Sequence, residues 1–533
     1  MMSTRFARWA ATATAVTAAI AGALAALLLT TPVWAAPAAS MPPLATLTPL
    51  AIVTQDQVAL RAAPRDGAAQ QAVLWQGDVL EVRGEKLGYL QVYDHRRERA
   101  GYVLASQVRG TALAADEAQS LLAVLRFVRD TPGAEALGIA YAAAYLRAVP
   151  ADAITAEPFD ALASMAERLA QRASVRQVNA RSSDALAAHL EVARSYGVQF
   201  TSLEHDGTIR LCYDGDAYRR VFALTASAEQ RARAALALTR HDCMDPDLRP
   251  LARTQLDAWR AEVLDRLDTA QWQQLAAPLK NRLRLRRAGV WSAIAFERSR
   301  QGDAVGAAAA AQRAIGDLAA IDKNELADGD AAAYTDAALR VGAVRWAAIP
   351  VPDTAATVAA STNSGRNITR SRPTIVTAPG QPGETCALLV DASHGADAPL
   401  AKRCSYGVIW AASASTRADG RAVALAVQPL VGWRELWVFR RDGSSGNAWS
   451  VAVLPPAASN PELGSVEFAG WVPGSDKLLL AREARVDGRY KRSFEVANLT
   501  TLNTEKQASA PAQLALFNKW QDPGWKRSTV MLR

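Results

Sequence analysis

Four cysteines and five histidines are the side chains in this chain best suited to covalent or metal chemistry. The histidines stand at 95, 189, 205, 241 and 394, and none is spaced as H-E-x-x-H, H-x-H or another metal pair. Cys212 and Cys243 fall in one region, Cys386 and Cys404 in another. A cysteine nucleophile needs a reduced thiol and a base, and Cys212 with the downstream His241 has that order. The run His241-Asp242-Cys243 also raises a metal or nucleophilic role for Cys243, but two sulfurs among scattered histidines do not make a ligand set. No G-x-S-x-G elbow, S-x-x-K or phosphate loop is present. Cleavage of a glycosidic bond would need a catalytic Glu in a helical domain; Glu229 and Glu297 are available, yet a helix surface is the ordinary place for glutamate. The expectation is no catalytic residue, no metal and no cofactor.

The N-terminus sets the compartment and with it the cysteine chemistry. Arg5 and Arg8 precede an apolar run from Trp9 to about Leu29, and Val33-Trp34-Ala35 supplies small residues at the −3 and −1 positions. That order makes residues 1–35 a secretory signal peptide cleaved after Ala35, with an uncleaved anchor helix as the rival. Ala and Thr dilute the run, which favours cleavage. No later stretch is apolar enough to span a bilayer, so the expected location is the periplasm. Four cysteines in an oxidising compartment are most simply two disulfides. Sequence allows three pairings, and pairing within each region keeps both bonds inside single domains. The 386–404 link closes a loop of about 19 residues, worth roughly 3 kcal/mol.

Beyond residue 35 the chain keeps 58 basic against 52 acidic residues, an excess of +6 spread along its length. This suits weak attraction to anionic envelope surfaces and excludes nothing but a dedicated nucleic-acid role, which export also disfavours. Half of the residues are apolar, enough for cores in two to four domains.

Four segments follow from composition and period. Residues 50–112 alternate apolar and polar, as in Leu80-Glu81-Val82 and Leu90-Gln91-Val92, with glycines at 67, 77, 84, 88 and 101 marking turns. Residues 114–348 switch to helical spacing: Leu121, Leu122, Leu125 and Val128 share one face, and Leu256, Trp259, Val263 and Leu267 another. About nine helices are expected, with starts at Asp184 and Thr225–Glu229. One hairpin interrupts them, from Val198 to Cys212 with a turn near Asp206-Gly207. Within the helices, Lys280 to Arg287 carries five positive charges in eight residues; an acidic partner or anionic glycan is the functional reading, a solvated helix face the ordinary one. Residues 349–383, rich in Thr, Ala, Ser, Pro and Gly, read as a flexible linker. Residues 384–533 return to strands, and the whole is a multidomain α+β chain.

The first segment resembles the bacterial SH3-like domain. Val58-Ala59-Leu60-Arg61-Ala62-Ala63-Pro64, Gly77 to Val82, Gly88-Tyr89-Leu90-Gln91-Val92 and Gly101-Tyr102-Val103 follow that family's order of strands. The resemblance covers about a tenth of the chain and implies a small barrel that binds cell-wall or protein ligands. Trp75, Tyr89, Tyr93 and Tyr102 are its candidate ligand-binding residues; some of them fill a barrel core, and Tyr93 and Tyr102 are favoured for contact because Tyr buries a flat face and keeps its hydroxyl wet.

Two other resemblances are partial. Gly289 to Gly302, Asp303-Ala304 and Ala307 to Leu318 look like a tetratricopeptide-type hairpin, without a period near 34 residues elsewhere. Gly407 to Gly443 and Val466 to Leu499 each resemble a TolB-type propeller blade. Ser415-Thr416-Arg417 stands where such a blade has Trp-Ser-Pro, and about 150 residues are near the minimum for closure, so a β-sandwich or an open stack of antiparallel sheets is the rival.

Together these readings point to an exported, non-enzymatic binding or scaffolding protein of a Gram-negative-type envelope. Its partner is an envelope protein or peptidoglycan, and the helices space two binding ends. A peptidoglycan hydrolase targeted by the SH3-like domain is the alternative.

Overall fold

The computed structural model describes residues 49–175, 180–205, 208–349, 372–441, 448–458, 461–486 and 488–532. The expected signal peptide and most of the expected linker lie outside them. The described chain is mixed α+β: an N-terminal antiparallel sheet, a helical middle and C-terminal antiparallel sheets.

The alternating segment forms β1 Leu50–Val53, β2 Val58–Arg61, β3 Gln70–Leu74, β4 Val79–Lys86, β5 Tyr89–Asp94, β6 Arg99–Leu104 and β7 Val108–Thr111. They make one antiparallel sheet in the order β3-β2-β6-β5-β4-β1-β7. Val53, Val58, Leu60, Leu74, Leu80, Val92 and Val103 fill its inner face. Gly101 is required there, because a β-carbon would stand 2.6 Å from Leu60 Cδ1.

The middle region holds α1 Ala118–Val128, α2 Glu135–Ala148, α3 Glu157–Ala173 and α4 Ala180–Ser195, then the hairpin β8 Phe200–His205 and β9 Thr208–Tyr213. After it come α5 Asp216–Ala223, α6 Ala228–Leu238, α7 Pro250–Asp265, α8 Thr269–Gln274, α9 Ala277–Arg300, α10 Ala304–Ala319 and α11 Ala331–Val344. Among the described residues eleven α-helices stand where about nine were expected; α5 and α8, of eight and six residues, are too short to show a helical period. Asp184 lies inside α4 and does not start it. The start of α6 is a capping box formed by Ser227 and Gln230, within the expected window.

Strands resume at β10 Thr374–Pro379, inside the segment expected to be linker, because β10 pairs along its whole length with β11 Thr385–Val390. β12 Ala401–Ser405 completes that sheet. A second sheet contains β13 Val408–Ile409, β14 Ser415–Thr416, β15 Ala422–Leu430, β16 Trp433–Arg441, β17 Trp449–Leu454, β18 Leu463–Val472, β19 Lys477–Val486, β20 Arg489–Asn498 and β21 Thr504–Ala508. Both blade-like units lie in this one nine-stranded sheet, joined by a short parallel pairing of β16 with β18. The expectation of an all-β end is corrected by α12 Ala515–Trp520 and α13 Pro523–Leu532. Phe517 and Trp525 anchor them edge-on against Phe494 of β20, at 5.6 and 6.4 Å between ring centres.

A second correction concerns independence. Val408, Trp410 and Ala426 of the C-terminal sheet share one buried cluster with Trp291, Ala311 and Val341 of the helices. The helical region is thus part of a common core, and the image of a separate spacer does not hold.

Candidate functional site: the outer face of the N-terminal sheet

Register decides which side chains share a face. Tyr93 of β5 stands opposite Glu81 of β4, and Gln91 of β5 opposite Tyr102 of β6, which in turn faces Arg61 of β2. Directly opposed residues project to the same side, so these five line the surface away from Val92 and Val103. Tyr93, Tyr102, Glu81 and Arg61 are half-buried, and Gln91 is exposed.

The Tyr93 ring is framed by charge. The Arg83 guanidinium lies 4.2 Å from its centroid and the His95 ring meets it edge-on at 4.8 Å. Glu81 ties both together, accepting from Arg83 Nε at 3.0 Å and from His95 Nε2 at 2.6 Å. Those hydrogen bonds, Arg83 first and His95 second, hold the Glu81 carboxyl below its usual range. The arrangement offers aromatic edges and a ring of donors and acceptors, which is binding chemistry for a sugar or peptide.

The other two candidate residues have different work. Tyr89 is only 6% exposed and its hydroxyl donates to Asp66, so it has no free ring face for a ligand. Trp75 sits before β4, edge-on to His189 of α4 with 6.2 Å between ring centres. It belongs to the joint between sheet and helices. There His189 Nε2 donates to Asp56 at 2.8 Å, Gln76 Nε2 donates to the Gly133 carbonyl at 2.9 Å, and the Tyr196 hydroxyl donates to the Gly77 carbonyl at 2.7 Å. A β-carbon at Gly77 would lie 2.6 Å from the Ala136 carbonyl oxygen, a contact that demands glycine. Sequence reading missed Glu81, Arg83 and His95; only the strand register brings them round Tyr93.

All four cysteines are paired as expected, Cys212 with Cys243 and Cys386 with Cys404. Cys386 and Cys404 oppose each other across β11 and β12. The thiol that a Cys212–His241 nucleophile would need is therefore consumed, and His241 Nδ1 instead accepts from Arg260 Nη2 at 2.9 Å. Among the described residues, Glu384, Cys386 and Cys404 bring ligand-type atoms within 4.8 Å, but both sulfurs belong to the disulfide. Glu229 is a surface residue 3.8 Å from Arg233. Glu297 is buried on α9, and burial pushes its carboxyl up.

Asp242, beside the first disulfide, gives a pH test. Burial alone would raise its carboxyl, but hydrogen bonding and charge from Arg240, then the charge of Arg210, outweigh this and hold it at about 2. Its folded value lies below the unfolded 3.8, so its contribution is complete above pH 4 and is lost as pH falls towards 2. The urea midpoint of the wild type should fall more steeply over that window than that of Asp242→Asn; parallel curves would refute the assignment.

Two cavities lie elsewhere. One of about 330 Å³ is bordered by the Cys212–Cys243 disulfide, Tyr213, Tyr218, Arg240 and Trp259. One of about 580 Å³, between the helices and the C-terminal sheet, is bordered by Arg345, Trp346, Arg434, Glu467, Phe468 and Trp525. Among the described residues, no helix is long and apolar enough to cross a membrane. Protein-family models, curated proteins and solved structures all yield no match to this chain.

Proposed function

We propose that this is an exported binding protein whose N-terminal sheet, an SH3-like barrel, presents Tyr93 and Tyr102 to a ligand of the cell envelope. The ligand is peptidoglycan or an envelope protein, and the helices and C-terminal sheets hold the barrel in place. The observation that carries the reading is the register placing Tyr93, Gln91 and Tyr102 on one outer face beside Glu81, Arg83 and His95. The two disulfides support it, being consistent with an oxidising, exported setting.

The test uses the full mature chain, because Ile52 of the sheet packs into the core of the first helices. Co-sedimentation with purified sacculi should fall at least about tenfold in affinity for the Tyr93→Ala/Tyr102→Ala variant, since truncating central aromatics typically costs 1 kcal/mol or more each. Its melting temperature should stay close to the wild type, as both rings lie on the outer face. Equal binding by wild type and variant would remove the support for this face.

A further inference from the structure

Exposure sorts the lining of the 580 Å³ cavity by depth. Its deepest part is charged: Arg345, just beyond α11, and Arg434 of β16 both donate to Glu467 Oε1 of β18, and all three residues are buried. Ile315 of α10, Trp346, Leu436 of β16 and Phe468 of β18 give it apolar walls. Ile349 and Asp522 are exposed and mark its rim. A void of this size, apolar apart from a few converging polar groups, has the make-up of a small-molecule site.

Arg345 is held in place without being used up. Its guanidinium lies 4.9 Å from the Trp346 ring centroid, and its Nη1 is taken by Glu467 at 2.7 Å. Its Nε and Nη2 make no hydrogen bond among the described residues, and neither is sealed in the interior. The residue is only 9% exposed and lines the cavity, so these two donors open into it. Nε–H and Nη2–H share one edge of the planar guanidinium, and that edge matches the two oxygens of a carboxylate.

Charge favours one negative group and no more. Among the buried groups of the lining, two guanidiniums meet the single carboxylate of Glu467. A second negative charge on the ligand would be repelled by Glu467 at depth and by Asp522 at the rim.

We infer that this cavity binds an amphipathic monocarboxylate. Its carboxylate sits on the Nε–Nη2 edge of Arg345 and its apolar body lies along Trp346, Leu436 and Phe468. The site is independent of the ligand bound by the outer face of the N-terminal sheet.

Calorimetric titration of the full chain with decanoate and with decanol, the same body without the charge, tests it. Decanoate should bind at least about tenfold tighter than decanol, the worth of one charge-assisted pair of hydrogen bonds. Tryptophan fluorescence should change on binding, because Trp346 and Trp525 line the cavity. Arg345→Met should erase the preference while decanol still binds, which separates a lost contact from a lost fold. Arg345→Lys keeps a charge beside Glu467 but lacks the planar edge, and should lose most of the preference. Ala348→Phe and Ala412→Phe, which fill the walls, should weaken both ligands. Naphthalene-1-acetate identifies the body: tighter binding than decanoate assigns a ring, weaker binding an acyl chain. No binding of either carboxylate, equal affinity of the wild type for decanoate and decanol, or an undiminished preference in both Arg345 variants would overturn the site.

Discussion

Replacing Glu467 by Ala lowers the stability of the chain by about 3–5 kcal/mol, the range for removing one partner of a buried ion pair. Glu467 of β18 is 7% exposed and ties three elements together. Its Oε1 accepts from Arg345 Nη1, just beyond α11, and from Arg434 Nη2 of β16, both at 2.7 Å. Its Oε2 accepts from Trp525 Nε1 of α13 at 2.7 Å. Arg434, 1% exposed, also donates to the Gly342 carbonyl of α11. Without the carboxylate, two guanidiniums stay buried with one negative partner fewer, and α13 loses its polar anchor. Glu467→Gln keeps an acceptor and should lose less. Urea unfolding followed by tryptophan fluorescence reports the difference; a loss below about 1 kcal/mol would mean that water already relaxes this cluster.

Removing the Cys212–Cys243 disulfide by a double change to Ser costs about 4 kcal/mol on the chain-entropy model, given a sequence separation of 31 residues. Losing Cys386–Cys404, separated by 18, costs about 3 kcal/mol. The first bond holds β9 to the loop after α6 and borders the 330 Å³ cavity, so its removal should also loosen that cavity wall. Comparison of urea midpoints for the two double variants gives the order. Thiol titration of denatured, unreduced wild type should find none; an unchanged midpoint for the first variant, or free thiols in the wild type, would contradict the assignment.

Much of this fold was legible because its signals are local. Period-two alternation at Leu80–Val82 and Leu90–Val92 marked β4 and β5, and the heptad-like spacing of Leu121, Leu125 and Val128 marked α1. The disulfide pairing followed from region alone. What escaped is what depends on tertiary partners. The strand β10 is a short β-branched run, Thr374-Ile375-Val376-Thr377, inside a segment whose overall composition suits a linker, and pairing with β11 makes it a strand. The terminal helices α12 and α13 are short and are fixed by aromatic packing on Phe494. The candidate site was half legible: Tyr93 and Tyr102 could be named as aromatics of the N-terminal strands, but Tyr89 and Trp75 differ from them only in what covers them. Glu81, Arg83 and His95 join Tyr93 through register. The run at 280–287 announced its charge, and only packing shows that Arg286 turns inward while Arg282 and Arg287 are paired.

Hydrogen–deuterium exchange of the full chain, with and without soluble muropeptides, tests the central claim most directly. The account predicts protection confined to β4, β5 and β6 around Tyr93 and Tyr102, lost in the Tyr93→Ala/Tyr102→Ala variant. Protection that spares residues 79–104 and falls instead on the helices or the C-terminal sheets would contradict it.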